Sequence, residues 1–241
     1  MNAPTESPDR RSKPASVAVR RGRPKDPEKR LAILRAAKTL FAKRGFDATS
    51  MDALARAAGV SKLTLYSHFA DKDALFAASV VATCEAHAPP AFFDPTQPLP
   101  LRQRLLQIGR GFVDLIMDEE VIDFYRMMAA QARNDDRLGK LFYAAGPEPT
   151  VRQFAQLLSS AHQQQELRVP NPKVAAEHFF CLLKGVHHLQ ALMACRGPLN
   201  ETERTHHVTE VVELFLRAYQ LPSVGKVKAS HSQSTKGASG A

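Results

Sequence analysis

A chain of 241 residues, 44% of them hydrophobic, is long enough for one large domain or two and has ample apolar residues for a buried core. Its 33 lysines and arginines against 24 acidic residues give a formal net charge of +9, which favours a polyanionic partner, nucleic acid ahead of a membrane surface. Cys84, Cys181 and Cys195 show no C-x-x-C spacing and imply buried thiols in a reducing compartment, and no apolar run suggests a signal h-region or a membrane span, so the chain reads as cytoplasmic.

Residues 1 to about 25 are rich in Pro, Ser, Arg and Lys and hold nothing that could pack a core, so a disordered basic arm is expected there. Within it RRGRPK, Arg20 to Lys25, resembles the Gly-Arg-Pro core of minor-groove hooks, with Arg21 and Arg23 as the side chains that would enter a narrow A·T-rich groove. Alone, the run reads equally well as solvated charge.

Asp26 and Pro27 make a helix start, a cap followed by an N1 proline. Leu31, Leu34, Ala37, Leu40 and Phe41 supply an apolar face that ends at Lys43-Arg44-Gly45. From Thr49 to Ala58, Met51, Leu54, Ala55 and Ala58 fall at i, i+3, i+4 and i+7, and Thr49 with Asp52 forms a capping-box variant. Gly59 supplies the permissive backbone for a sharp turn, and Ser61 caps a second short helix running to about Phe69. Two helices joined this closely are a helix-turn-helix.

On that second helix Leu65 and Phe69 share one side, while Leu63, Thr64, Tyr66 and Ser67 spread over the other with Lys62 at the edge. A merely solvated helix would be filled with Glu, Lys and Gln. Hydroxyls, a lysine and an outward leucine suit a DNA groove, where donors meet base edges and an apolar group meets a thymine methyl. Asp71 caps a fourth helix through Leu75, Phe76, Val80 and Cys84 to about His87. Lys72 in its first turn opposes the helix dipole, which makes sense if a phosphate docks there. The proline-dense HAPPAFFDPTQPLP, His87 to Pro100, cannot continue a helix and marks a domain boundary.

AGVSKLTLYSHFADKDAL, with TSMDALARAAG before it, closely resembles the DNA-binding signature of the tetracycline-repressor (TetR) family of bacterial transcriptional regulators, over roughly residues 27 to 87. Leu63 departs from the glycine that many members carry. By position in the matched motif, the resemblance implies that Lys62, Leu63, Thr64 and Tyr66 face bases or adjacent backbone. It likewise implies that Thr49, Ser50, Tyr66, His68 and Lys72 hold phosphates.

From Leu101 the helical period returns through Leu105, Ile108, Phe112 and Leu115, then Val121, Phe124, Tyr125 and Met128, broken at Asn134-Asp135-Asp136. Leu138, Leu141 and Phe142 make a short helix stopped by Gly146-Pro147, and Val151, Phe154, Leu157, Leu158 and Ala161 another. Asn171-Pro172 opens a long helix to about Cys195, and Pro198-Leu199-Asn200 precedes a last one to Tyr219. These two are apolar beyond a single stripe, so each needs a second partner, and Leu189, Leu192, Val211 and Phe215 are the expected dimer contacts. DFYRMMAAQARNDDRLGKLFYAAGPEP and NPKVAAEHFFCLLKGVHHLQALM are similar to the C-terminal domain of the AefR-like branch of the family, which implies ligand binding and dimerisation.

Phe112, Tyr125, Met128, Phe142, Tyr143, Phe154, Phe179 and Leu183 are numerous enough for an apolar cavity, with Tyr125, Tyr143 and His187 as its polar handles. The histidines do not suggest a metal or catalytic site: His178 and His187 are nine residues apart, and adjacent histidines point about 100° away from each other. No G-x-S-x-G, P-loop or H-E-x-x-H pattern is present, so neither an enzyme nor a cofactor is expected.

The expectation is an all-α protein: a basic arm (1–25), a three-helix helix-turn-helix DNA-binding domain (26–87), an antiparallel helical bundle for ligand and dimer (101–220) and a disordered tail (221–241). It would bind a palindromic double-stranded operator as a homodimer and respond, as a repressor, to a small apolar effector. The alternative is a basic architectural protein without an effector, in which the arm would matter more than the helix-turn-helix.

Overall fold

A computed structural model describes residues 26–131 and 136–221, and every described element is helical, with no strand among them. The basic arm with Arg21 and Arg23, the break at Asn134-Asp135 and the tail beyond Leu221 lie outside the described residues.

Local chemistry sets most helix starts. Helix α1, Pro27–Arg44, begins where the Asp26 carboxylate accepts from the Glu28 amide at 3.1 Å. Helix α2, Met51–Ala57, is capped by Ser50, whose hydroxyl oxygen accepts from the Ala53 amide at 3.1 Å. Thr49, the expected cap, is instead fully buried and donates to the Gly45 carbonyl at 2.7 Å, closing the loop before α2. Gly59 turns the chain at φ +66, and helix α3, Lys62–His68, starts on Ser61, which accepts from the Thr64 amide at 3.0 Å. Asp71 caps helix α4, Lys72–His87. In α1 the expected inward face holds for Leu34, Ala37 and Phe41, but Leu31 is 55% exposed.

A 3-10 turn, Pro90–Phe93, leads to α5, Leu101–Met117, then α6, Glu119–Gln131, α7, Asp136–Ala145, and α8, Pro147–Gln163. Asn171 caps α9, Pro172–Leu192, and Asn200 with Glu203 forms a capping box on α10, Glu201–Ala218. Gly111 of α5 is where α4 ends against the bundle: a Cβ there would lie 2.1 Å from the His87 carbonyl oxygen, so any larger residue would push the two helices apart.

The side chains divide into two cores, and not at the proline-rich segment. Helices α5, α8, α9 and α10 enclose Leu105, Ile108, Phe154, Phe179, Val208 and Phe215. Helices α1 to α4 enclose Ile33, Phe41, Phe46, Leu54, Leu65 and Phe76, but Met128 of α6 and Leu138 of α7 are buried in that same core, with Phe124 and Phe142 packed against it. A head of four helices leaves one apolar face open, and α6 and α7 cover it.

Two expectations about the last helices are corrected. The long helix α9 is not continuous: Gly185 adopts φ 49, ψ −160, a conformation open to glycine, and the His207 ring of α10 sits at the kink, donating through Nε2 to the Leu183 carbonyl at 2.9 Å. Val211 and Phe215 are 7% and 1% exposed and fill the bundle core, so they offer little surface to a second copy. Leu192 is half-buried against the same core. The outward stripe is Leu182, Val186 and Leu189 along α9 and Met193 just past its end, with Leu214 exposed on α10, and Val186, Leu189 and Met193 are each more than half exposed. Cys181 and Cys195 are exposed rather than buried.

Candidate nucleic-acid interface and ligand cavity

Helix α3 is anchored by fully buried Leu65 and by Phe69, which forces its other side into solvent. Leu63 is 82% exposed there and Tyr66 44%, an arrangement that no packing requirement of this protomer explains. Lys62 pairs with Asp52 of α2 at 2.8 Å, both side chains being more than half exposed, so the ammonium can exchange that carboxylate for a phosphate at little cost. The Thr64 hydroxyl lies 2.8 Å from that of Ser61, and Ser67 donates to the Thr64 carbonyl.

The residues expected at phosphates separate. Ser50 is exposed and accepts from an amide, leaving its proton for a phosphate oxygen. Thr49 is buried with its proton already given to Gly45, so its role is structural. Lys72 donates to the Phe46 carbonyl at 2.8 Å and lies 4.2 Å over the Phe46 ring, which answers its unfavourable place in the helix dipole without a phosphate. His68 is half-buried beside the Phe69 ring.

A cavity of about 130 Å³ lies between head and bundle, walled by α1 and α4 on one side and α5, α6, α7, α8 and α9 on the other. Phe112, Tyr125 and Phe142 are among its lining residues. Phe154, Phe179 and Leu183 are buried in the bundle core away from it, Met128 belongs to the head's core, and Tyr143 is 56% exposed. His187 faces His207, ring centroids 5.0 Å apart, and Arg196, away from the cavity. Its neighbour His188 turns inward: its Nδ1 donates to the Ile116 carbonyl at 3.0 Å and its ring meets that of Tyr125 edge-on at 5.3 Å.

Sequence reasoning missed the wall contributed by the head, Lys38 and Phe41 of α1 and Ser79, Val80 and Thr83 of α4, together with Lys184 of α9. Lys38 also ties the two parts together, its Nζ lying 3.2 Å from Asp118 and 3.0 Å from Glu120, while Thr39 donates to Glu120 at 3.1 Å. Burial pushes the Tyr125 phenol up to about 12 and the Cys84 thiol to about 11, so both stay protonated at neutral pH.

Burial, with the Lys184 charge second, holds the His188 imidazole below its ordinary value. A base depressed in the folded state takes its proton more readily when unfolded, so the contribution of neutral His188 is intact above about pH 6.5 and is lost as pH falls below that value. The slope of unfolding free energy between about pH 6.5 and 5 should be shallower in His188→Gln than in the parent. Equal slopes in denaturant titrations would assign the acid loss to other groups.

No group of three or more His, Cys, Asp and Glu side chains among the described residues could hold a metal ion, and no described helix is long and apolar enough to cross a membrane.

Residues 33–79 match the family model described as bacterial regulatory proteins, tetR family, and residues 103–221 match that of the AefR-like transcriptional repressor C-terminal domain. Among solved structures, a TetR-family transcriptional regulator from Mesorhizobium loti MAFF303099 is 28% identical with a TM-score of 0.66, covering 81% of this chain and 98% of that one. The flavonoid-responsive regulator FrrA is 34% identical with a TM-score of 0.59 over the same shares. The HTH-type transcriptional regulator YdeS of Bacillus subtilis is 40% identical over 70 residues, which span 29% of this chain and 35% of that protein.

Proposed function

Because this chain belongs to the TetR family of transcriptional regulators, we propose that it is a ligand-responsive repressor working in the cytoplasm, a homodimer that holds a palindromic operator. The observation that carries the reading is the outer side of α3. A leucine 82% exposed beside an exposed tyrosine, on a helix whose other side is locked into a core, is a surface built for a groove. Lys62 and Ser50 flank it as backbone contacts, and the two α3 helices of a dimer would enter successive major grooves.

The cavity between head and bundle supports the effector half of the proposal. A ligand seated there touches α1 and α4 as well as the bundle, so it can favour one placement of the head over another. FrrA, as a flavonoid-responsive regulator, answers to flavonoids. For this chain the phenylalanine-rich wall supports a small, mostly apolar effector that lowers operator affinity. A coupling of about 1–3 kcal/mol would loosen the operator roughly five- to a hundredfold.

Selection of bound duplexes from a random pool by the full-length protein should return one inverted repeat. On that repeat Leu63→Ala and Tyr66→Ala should each lower specific affinity by roughly five- to a hundredfold per half-site while leaving non-specific binding in place. Lys62→Ala should weaken all duplexes alike and make the salt dependence shallower by about 1 per subunit. A pool that stays random, or three variants that bind as the parent does, would remove the operator reading.

A further inference from the structure

The polar groups of the cavity wall differ in what they have left to offer a ligand. Ser79 Oγ donates to the Phe76 carbonyl at 2.7 Å, Thr83 Oγ1 to the Ser79 carbonyl at 2.8 Å and Thr150 Oγ1 to the Gly146 carbonyl at 2.9 Å. Each hydroxyl has given its one proton to its own helix and turns only lone pairs towards the space. Lys38 is held between Asp118 and Glu120. Apart from the weakly donating Cys84 thiol, the remaining donors are the Tyr125 hydroxyl, kept protonated by burial, and the Lys184 ammonium, 6.0 Å from the centre of the Tyr125 ring. Lys184 makes no ion pair among the described residues, and the imidazole on its side, His188, has its own Nδ1 committed to Ile116.

We infer, on the strength of the effector reading above, that the cavity takes a monocyclic organic acid, with its carboxylate on Lys184 and Tyr125 and its ring among Phe112, Phe142 and Phe180. Size supports one ring: about 130 Å³ is close to the engineered cavity of about 150 Å³ that takes benzene. The ring of Phe112 lies 4.6 Å from that of Phe180, which makes the apolar wall aromatic and suited to offset or edge-on contacts.

Charge decides the other end. A neutral ligand closing over Lys184 strips water from an ammonium and returns nothing, whereas a carboxylate replaces that water with a charge-assisted hydrogen bond. A cationic ligand would meet Lys184 itself. A ring hydroxyl would find acceptors in the spare lone pairs of Ser79, Thr83 and Thr150, which line the same cavity.

The test is calorimetric titration of the full-length protein with benzoate and 4-hydroxybenzoate, and with benzamide and methyl benzoate as uncharged counterparts. The acids should bind about tenfold or more tightly than the amide and ester. Lys184→Met should bring the acids down to the level of the amide while amide binding persists, which also shows that the cavity is still formed, and Lys184→Arg should restore most of the preference. Equal affinity of acid and amide for the parent protein, a preference that survives Lys184→Met, or no binding by any of the four compounds overturns the assignment. Operator titrations in the same series separate this inference from the reading beneath it. Acids that bind through Lys184 yet leave operator affinity unchanged keep the site and remove its role as effector site. Operator release by the neutral compounds and not by the acids keeps an effector site and overturns the acid assignment.

Discussion

Val186→Asp should convert the protein from a dimer into a monomer and lower its affinity for a palindromic operator by at least a hundredfold. Val186 is 59% exposed at the middle of a stripe in which Leu182, Leu189 and Met193 recur at helical spacing, and Leu214 of α10 is 47% exposed as well. Exposed apolar residues grouped this way suit an interface, and in the proposed assembly a two-fold contact would bring the same stripe of each copy together. In such a two-fold contact the substitution would bring two carboxylates, one from each copy, into an apolar seam. The operator effect follows from linkage: while the dimer holds, the second head binds at a high effective concentration, and once it dissociates each half-site must be won separately. Sedimentation at micromolar concentration and operator titration check both halves. A variant that stays dimeric, or a monomer that keeps full operator affinity, would contradict the proposed assembly.

Phe76→Ala should cost about 3–5 kcal/mol of a total that for a domain of this kind is on the order of 5–15 kcal/mol. Phe76 is fully buried, with the rings of Phe41 at 5.4 Å, Phe46 at 5.3 Å and Phe124 at 5.6 Å. Removing it leaves a void bounded by three aromatic side chains whose backbones belong to two helices and a loop, so collapse around it is limited. The midpoint of thermal unfolding should fall by roughly 10 °C or more. A fall of only a degree or two would mean that the head does not depend on this cluster.

The caps and the helical period were legible in the sequence because both are local. Asp26, Ser61, Asp71, Asn171 and Asn200 each stand just before a periodic run, and each accepts from an amide of its own first turn. Thr49 and Ser50 show the limit of that signal. Two adjacent hydroxyls can cap the same helix, and the choice falls to tertiary structure, which buries Thr49 against the Gly45 carbonyl. Val211 and Phe215 fail for a related reason: a helix apolar on two sides does not say which side its own bundle will take. The kink at Gly185 has no local signature, since a glycine inside an otherwise regular helical pattern is compatible with an unbroken helix. The cavity was the least legible part. A void is set by elements that stop short of one another, and here two of them, α1 and α4, lie on the far side of a segment that composition marks as a boundary.

The shared packing of α6 and α7 bears on how such a protein can be recombined. The segment that reads DNA does not end where its motif ends, because Met128 and Leu138 complete its interior and Phe124 and Phe142 shield it. Transplanting only α1 to α4 onto a foreign sensor would carry Phe76 and Val80 into water, with the penalty of an exposed aromatic cluster. A working hybrid has to import α6 and α7 too, and with them Glu120 and Tyr125, so part of the cavity wall travels with the head. If the cavity is the effector site proposed above, a change of operator made by exchanging heads is also a change in what is sensed.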